Sequence, residues 1–368
     1  ADGTALGRVW ESRLLPTLYN FMFVCLARGW VCCGGASGSR ATNISTVRFL
    51  NIERRRMNDN VSLDSLRLYD AAADNAASSL IKQYSSSFHI ATRLYPKPIR
   101  RDIRNLYAVV RIADEIVDGT LHNANSLSGN TECISKALAA YEQTILSAPH
   151  KRFHTDPIVH AYANTARRCG LSDAHLQAFF RSMRMDLHTS TFADSELQQY
   201  IYGSAEVIGL LCLDIFYAET PRPDSTTWPR IQEGAQRLGA GFQKINFLRD
   251  YAEDTAARRR DYYPRLSAPS AEEAVNSILA EARSDLLAGA RTIKLLPPKV
   301  QPAVAAASEI YLELARKLSR NPEAVIGTGA NKRRLSVPKT IKARIVSQAI
   351  VRSGYGATLH KLTRKVGA

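Results

Sequence analysis

The chain has 368 residues, 45% of them apolar, enough for one large soluble domain or two ordinary ones. Its formal net charge of +15 is uneven: residues 1–56 carry +5, residues 321–368 carry +9, and the body between them is nearly neutral. The six cysteines (Cys25, Cys32, Cys33, Cys133, Cys169 and Cys212) fit neither zinc-site nor disulfide spacing, which excludes both frameworks and leaves the three in the body as thiols of a reducing compartment.

Residues 14–27 form an apolar run that Arg28 ends, short of the roughly 20 residues a membrane span needs. Arg8 and Arg13 before it give a signal-peptide flavour without a convincing cleavage site. Residues 1–56 are expected to be a basic N-terminal extension, disordered or outside the core, with Met57 near the start of the folded unit. A removable anchor or targeting segment is the alternative, and a start at Ala1 fits a processed form.

From residue 65 the pattern is helical nearly everywhere. Ile99, Ile103, Leu106, Val110, Ala113 and Val117 make one apolar helix stripe, with Pro96 and Pro98 placed where they set a helix start. A second stripe, Tyr107, Arg111, Asp114 and Asp118, runs beside it. Residues 200–217 read as a deeply buried helix, apolar on most sides, with Tyr202, Ala205, Gly209 and Leu213 on one face. That face is either the wall of a cavity or a close helix–helix contact through Gly209. Residues 230–256 give another long helix, with Gln243, Asn246, Asp250 and Asp254 beside Phe242, Ile245 and Leu248. Turn signals fall at Ser128–Asn130, Pro221–Pro223, Pro264, Pro297–Pro298 and Gly327–Gly329. There is no alternating strand pattern, no internal repeat and no glycine-rich phosphate loop. The expected architecture is all-α: a single-domain helical bundle over about 57–345 enclosing a central cavity, followed by a basic C-terminal tail at 346–368.

The two polar stripes carry the chemistry. Aspartates four apart lie on one helix face, and two carboxylates that close repel unless a cation sits between them. Magnesium takes hard oxygen ligands, commonly one or two carboxylates plus phosphate oxygens of a substrate. Two such pairs on facing helices make a site for a diphosphate held through divalent ions, where metal neutralises the charge on a leaving group. Arg111 and Arg249 offer donors to the same phosphates, or pair with the neighbouring aspartates. A leaving diphosphate implies a carbocation, which needs a closed apolar cavity and is stabilised by aromatic faces.

Five segments in chain order resemble the trans head-to-head prenyl synthases, the family of squalene, dehydrosqualene and phytoene synthases. They are Ser85–Phe88 with Pro96, Leu106–Asp118, Tyr202–Gly209, Gly241–Asp254 and Arg260–Pro264. The likeness covers roughly residues 80–340 and is strongest to the phytoene synthases. It implies the isoprenoid synthase fold and a prenyltransferase that joins two geranylgeranyl diphosphates through prephytoene diphosphate to 15-cis-phytoene, in carotenoid biosynthesis. It implies Mg²⁺, or Mn²⁺, held by Asp114, Asp118, Asn246, Asp250 and Asp254, and no NADPH. By position, Ser85, Ser87, Tyr107, Arg111, Gln243 and Asn246 contact diphosphate or metal-bound water, Phe88, Tyr202 and Arg249 belong to the substrate site, and Tyr311 and Arg334 reach the diphosphates. Three departures stand out: Glu206 occupies a position usually glycine, Arg259 replaces a glycine before Arg260, and the first 56 residues have no counterpart.

Within the family, the alternative is a C30 synthase joining two farnesyl diphosphates to squalene or dehydrosqualene. Outside it, the alternative is a non-catalytic basic helical protein bound to membrane, which would explain the charged ends but not the matched aspartates. Neither zinc spacing nor an aromatic-interleaved basic patch points to nucleic acid, and no required protein partner is evident. The expected location is the cytoplasm, with the basic ends favouring peripheral contact at the inner membrane face.

Overall fold

The computed structural model describes residues 44–121, 131–257, 260–267, 269–326 and 335–352. Most of the 1–56 extension, the turns at Ser128–Asn130 and Gly327–Gly329, Arg259, Arg334 and the tail beyond Arg352 lie outside these. The chain divides into two compact units, Ala1–Ser62 and Leu63–Ala368, and the second carries everything that follows except the first part of the helix Ile44–Tyr84.

Its elements are helices: α1 (Ile44–Tyr84), α2 (Ser86–Thr92), α3 (Lys97–Val117), α4 (Thr131–Ser147), α5 (Pro157–Cys169), α6 (Asp173–His188) and α7 (Asp194–Ile201). After a π-turn at Tyr202–Glu206 come α8 (Val207–Phe216), α9 (Thr227–Ala257), α10 (Ala271–Thr292), α11 (Gln301–Ser319), α12 (Glu323–Ile326) and α13 (Lys339–Arg352). Among the described residues no strand forms; a single parallel bridge joins Thr191 and Asp261. No described helix is long and apolar enough to cross a membrane.

Local chemistry sets the helix ends near the site. The Ser85 hydroxyl accepts a hydrogen bond from the Phe88 amide at 3.3 Å and caps α2, satisfying one of the orphan donors of its first turn. Pro98 sits in the first turn of α3, where its missing amide is no loss. Asp118 closes α3, its amide still donating to the Asp114 carbonyl at 2.8 Å, so the four-residue spacing survives at the end of the helix.

Two apolar cores divide the bundle. In the first, Leu106, Val109, Ala113 and Val117 of α3 pack with Leu138, Tyr162, Phe179, Phe180 and Leu211 from α4, α5, α6 and α8. Of the predicted stripe, Ile99, Leu106, Ala113 and Val117 are buried, while Ile103 and Val110 pack partly buried against the cluster. In the second, Ile245 and Leu248 of α9 pack with Ile278, Leu286, Ile310, Leu314 and Ile345 from α10, α11 and α13. The two aspartate helices therefore anchor in different cores. α13 packs on α11 and buries Ala349, so position 345 lies inside a helix.

The run read as one helix over 200–217 is interrupted. Residues Tyr202–Glu206 form a π-turn between α7 and α8, a wider turn that often marks functional sites. Gly203 explains its tolerance: a Cβ there would lie 2.3 Å from the Ala178 carbonyl oxygen on α6.

Candidate active site

Side chains from α2, α9, α11 and α13 meet against the second core, and Arg260 links them to Asp118 at the end of α3. On α3, Tyr107 is half-buried, and burial pushes its hydroxyl up to about 12, so it stays a neutral donor at physiological pH. Arg111 stacks over the Tyr84 ring with its guanidinium carbon 4.3 Å from the centroid. It pairs with Glu115, with Nε donating to Oε1 at 3.1 Å, and lies 3.7 Å from Asp114. Burial alone would push the Glu115 carboxyl up, but hydrogen bonds from Arg111 and Thr120 outweigh it and hold it at about 2. Glu115 thus stays ionised and fixes Arg111 on the face that carries Asp114 and Asp118.

On α9, Asn246 donates to the Gln243 side-chain oxygen at 3.5 Å and accepts from the Tyr311 hydroxyl of α11 at 3.2 Å. Arg249 grips Asp250 through two hydrogen bonds, at 2.8 and 2.5 Å, and these outweigh burial to raise its pKa. This is the structural pairing that the sequence left open. Asp254 is buried, and its carbonyl accepts from the Arg260 amide at 3.0 Å. The Arg260 side chain turns to the other helix, with Nη1 2.5 Å from an Asp118 oxygen. One buried arginine thereby ties the two aspartate pairs together.

Next to them is an aromatic group. Phe88 lies 6.2 Å from Phe242 and 5.9 Å from Tyr311, and Phe242 and Tyr311 are 4.3 Å apart between centroids. Offset or tilted rings at these distances make a continuous apolar surface. Of the predicted residues, Ser85, Phe88, Tyr107, Arg111, Asp114, Asp118, Gln243, Asn246, Arg249, Asp250, Asp254 and Tyr311 belong to this linked set. Ser87 shares the first turn of α2 with Ser85 and Phe88. Tyr202 differs: it is 39% exposed, and among the described residues no hydrogen bond, ion pair or ring contact joins it to the set. Arg334 lies outside the described residues.

The sequence reading missed Lys342, counted only as part of the basic C-terminal tract. Its side chain is 4% exposed, and its ammonium donates to the Ser86 hydroxyl at 3.0 Å. Burial pushes its pKa down, and nearby Arg249 and Lys339 push it further. A buried ammonium facing a hydroxyl and a second cation is a place for an anion. Lys342 stands at a step of three from Lys339 and Ile345, and only tertiary packing distinguishes the three.

Glu206 is settled as a polar-partner residue. It ends the π-turn, accepts from the Gln236 amide at 3.2 Å, and lines a cleft with Gln198, Arg237, Lys244 and Asp285, apart from the aromatic group. Burial, reinforced by Asp285, raises its pKa. Gly209 is likewise settled as a packing residue, since a Cβ on it would lie 2.6 Å from the Ala235 carbonyl oxygen of α9.

The donor set of Asp114, Asp118, Asn246, Asp250 and Asp254 is all hard oxygen, which fits Mg²⁺ or Mn²⁺ and disfavours soft metals. Among the described residues no three His, Cys, Asp or Glu side chains cluster closely enough to hold an ion unaided. Magnesium commonly takes one or two carboxylates and completes its shell with water and phosphate oxygens.

Residues 81–266 match the family model described as squalene/phytoene synthase. The chain is 32% identical over 192 residues to the phytoene synthase of Arthrospira platensis, covering 50% of this chain and 58% of that protein. It is 30% identical over 188 residues to the phytoene synthase of Mycobacterium tuberculosis, covering 51% and 56%. A bifunctional lycopene cyclase/phytoene synthase of Phaeosphaeria nodorum is 26% identical over 267 residues, 65% of this chain and 45% of the other. The chain thus spans about half the length of the relatives it matches. Among solved structures, a dehydrosqualene synthase in complex with ligand superposes with a TM-score of 0.62 at 21% identity, over 77% of this chain and 97% of the other. That likeness shows an isoprenoid synthase fold.

Proposed function

The chain belongs to the squalene/phytoene synthase family, and from that premise we propose that it is a phytoene synthase, coupling two geranylgeranyl diphosphates head to head. The observation that carries this reading is the convergence of both aspartate stripes, the start of α2 and two buried cations on one aromatic-walled seam. The relatives named as phytoene synthases favour the C20 substrate.

In this reading Ser85, Ser87, Tyr107, Arg111 and Lys342 bind and orient the departing diphosphate as hydrogen-bond donors and positive charge. Asp114, Asp118, Asn246, Asp250 and Asp254 would hold Mg²⁺, which when bound would supply Lewis-acid neutralisation of the leaving group. The C1–O bond of the first substrate breaks, and its electron pair leaves with diphosphate. The double bond of the second substrate attacks the resulting allylic cation, and loss of a proton closes a cyclopropane, prephytoene diphosphate. That intermediate loses its own diphosphate, rearranges, and sheds a second proton to give phytoene. Two diphosphates and two protons leave, and no electron is transferred to or from a redox cofactor. Phe88, Phe242 and Tyr311 keep water from the cations and offer them ring faces.

Purified protein given geranylgeranyl diphosphate and Mg²⁺ without NADPH is expected to release a C40 hydrocarbon, identified by mass spectrometry. A C30 product from farnesyl diphosphate alone would replace the C20 assignment. No turnover of either substrate by folded protein would sink the enzyme reading. Lys342→Met, which keeps the aliphatic stem, removes a charged hydrogen-bond donor of about 1.5–3 kcal/mol. Its kcat/KM is expected to fall on the order of tenfold to a hundredfold, the scale set by about 1.4 kcal/mol per decade, chiefly through KM. An unchanged KM in steady-state kinetics would remove Lys342 from the diphosphate site.

A further inference from the structure

Asp186 on α6 has no part in the reaction as described, yet it touches the site through Arg260. Its carboxylate is buried, with Oδ2 accepting from the Tyr200 hydroxyl at 2.7 Å and Oδ1 from the Tyr262 hydroxyl at 2.9 Å. Arg260 Nη1 lies 3.5 Å from the same Oδ1 and 2.5 Å from Asp118. The cradle is rigid. The Tyr262 ring stacks between Phe247, at 4.1 Å and 22°, and Phe192, at 5.0 Å and 26°. The Arg260 amide is also tied to the Asp254 carbonyl, so the guanidinium has little room to move.

One buried cation therefore faces two carboxylates of different kind. Asp186 has two tyrosine donors and is enclosed. Asp118 is partly open and belongs to the first aspartate pair. A buried charge stripped of its partner is strongly unfavourable. If Asp118 were the only anion beside Arg260, every cation drawing Asp118 away would leave Arg260 buried and unpaired. With Asp186 in place, the guanidinium stays compensated after Asp118 turns.

We propose that Asp186 is a positioning residue that holds Arg260 in the Tyr200–Tyr262 cradle, so that Asp118 is released to a divalent cation and diphosphate. The inference rests on the assignment of Asp114 and Asp118 to metal binding. It extends that assignment to a carboxylate that touches neither metal nor substrate. Partners that orient metal ligands from behind commonly govern affinity tenfold to a hundredfold.

The test measures Mn²⁺ uptake in the presence of inorganic diphosphate, following free Mn²⁺ by electron paramagnetic resonance, with no turnover required. Wild-type protein is expected to bind. Asp186→Asn keeps the shape and one acceptor but removes the charge, and is expected to bind Mn²⁺ about tenfold to a hundredfold more weakly with an unchanged circular dichroism spectrum. In an Arg260→Met background there is no cation left to compensate, and adding Asp186→Asn is expected to change Mn²⁺ affinity by less than about twofold. That pair also decides the matter if the single Asp186→Asn variant does not fold. Equal affinity of wild type and Asp186→Asn overturns the inference, as does a further tenfold loss in the Arg260→Met background. Failure of wild-type protein to bind Mn²⁺ with diphosphate overturns the metal assignment itself.

Discussion

Asp114→Ala and Asp250→Asn are each expected to lower turnover on the order of 10³-fold while leaving the helical circular dichroism unchanged. The magnitude follows from the chemistry asked of these groups. Metal neutralisation of a leaving diphosphate supplies several kcal/mol of transition-state stabilisation, at about 1.4 kcal/mol per decade of rate. The structural side effects are small by comparison. The Asp114 side chain is 37% exposed and lies 3.7 Å from Arg111, which keeps Glu115 as its main partner, so the lost pair is worth about 0–1 kcal/mol. Asp250 is more enclosed and grips Arg249, so asparagine is the better replacement there: it retains an acceptor oxygen and the volume while removing the charge. The two changes probe helices anchored in different cores. If either variant retains more than about a tenth of wild-type turnover in a product assay, a scale of under 1.4 kcal/mol, that aspartate is a solvated-face residue and the metal site has been misplaced.

How much of this site was readable beforehand depended on whether a residue acts through local period or through distant packing. The stripes Tyr107–Arg111–Asp114–Asp118 and Gln243–Asn246–Asp250–Asp254 lie on α-helix as far as the cap residue Asp118, so the 3.6-residue period holds along each of them. Tyr202 begins a π-turn, where that period does not hold. Each wide turn advances the phase differently from an α-turn, so the period that relates Gly209 to Leu213 within α8 does not carry back to Tyr202. Lys342 and Asp186 were invisible for another reason. A lysine in a basic tract and an aspartate in a mixed helix look like ordinary surface residues until α13 packs on α11, and α6 on the π-turn, and bury them. Arg260 was recognised as part of a motif, but its two carboxylate partners, Asp118 and Asp186, come from helices far away in sequence.

Gly209 separates cavity wall from packing contact most sharply. If the residue faced open space for a prenyl chain, Gly209→Val would fill that space at little cost, gain slightly in helix propensity, and shorten the product. The structure favours the other outcome. The α-carbon of Gly209 approaches α9 so closely that even a Cβ would meet the Ala235 carbonyl oxygen at 2.6 Å and its carbon at 3.0 Å. Both are backbone atoms and cannot swing aside as a side-chain end would. α9 could yield only by moving as a unit, and it carries Ile245, Leu248 and the second aspartate pair. Valine there is expected to destabilise the protein by about 3 kcal/mol, the upper end for overpacked cores, against a helix-propensity gain of at most about 0.5 kcal/mol. Urea unfolding should show this as a lowered midpoint at unchanged slope. Residual activity per folded molecule should fall too, because a displaced α9 separates Asp250 and Asp254 from Asp118. A variant of wild-type stability that makes a shorter hydrocarbon would instead return Gly209 to the cavity wall.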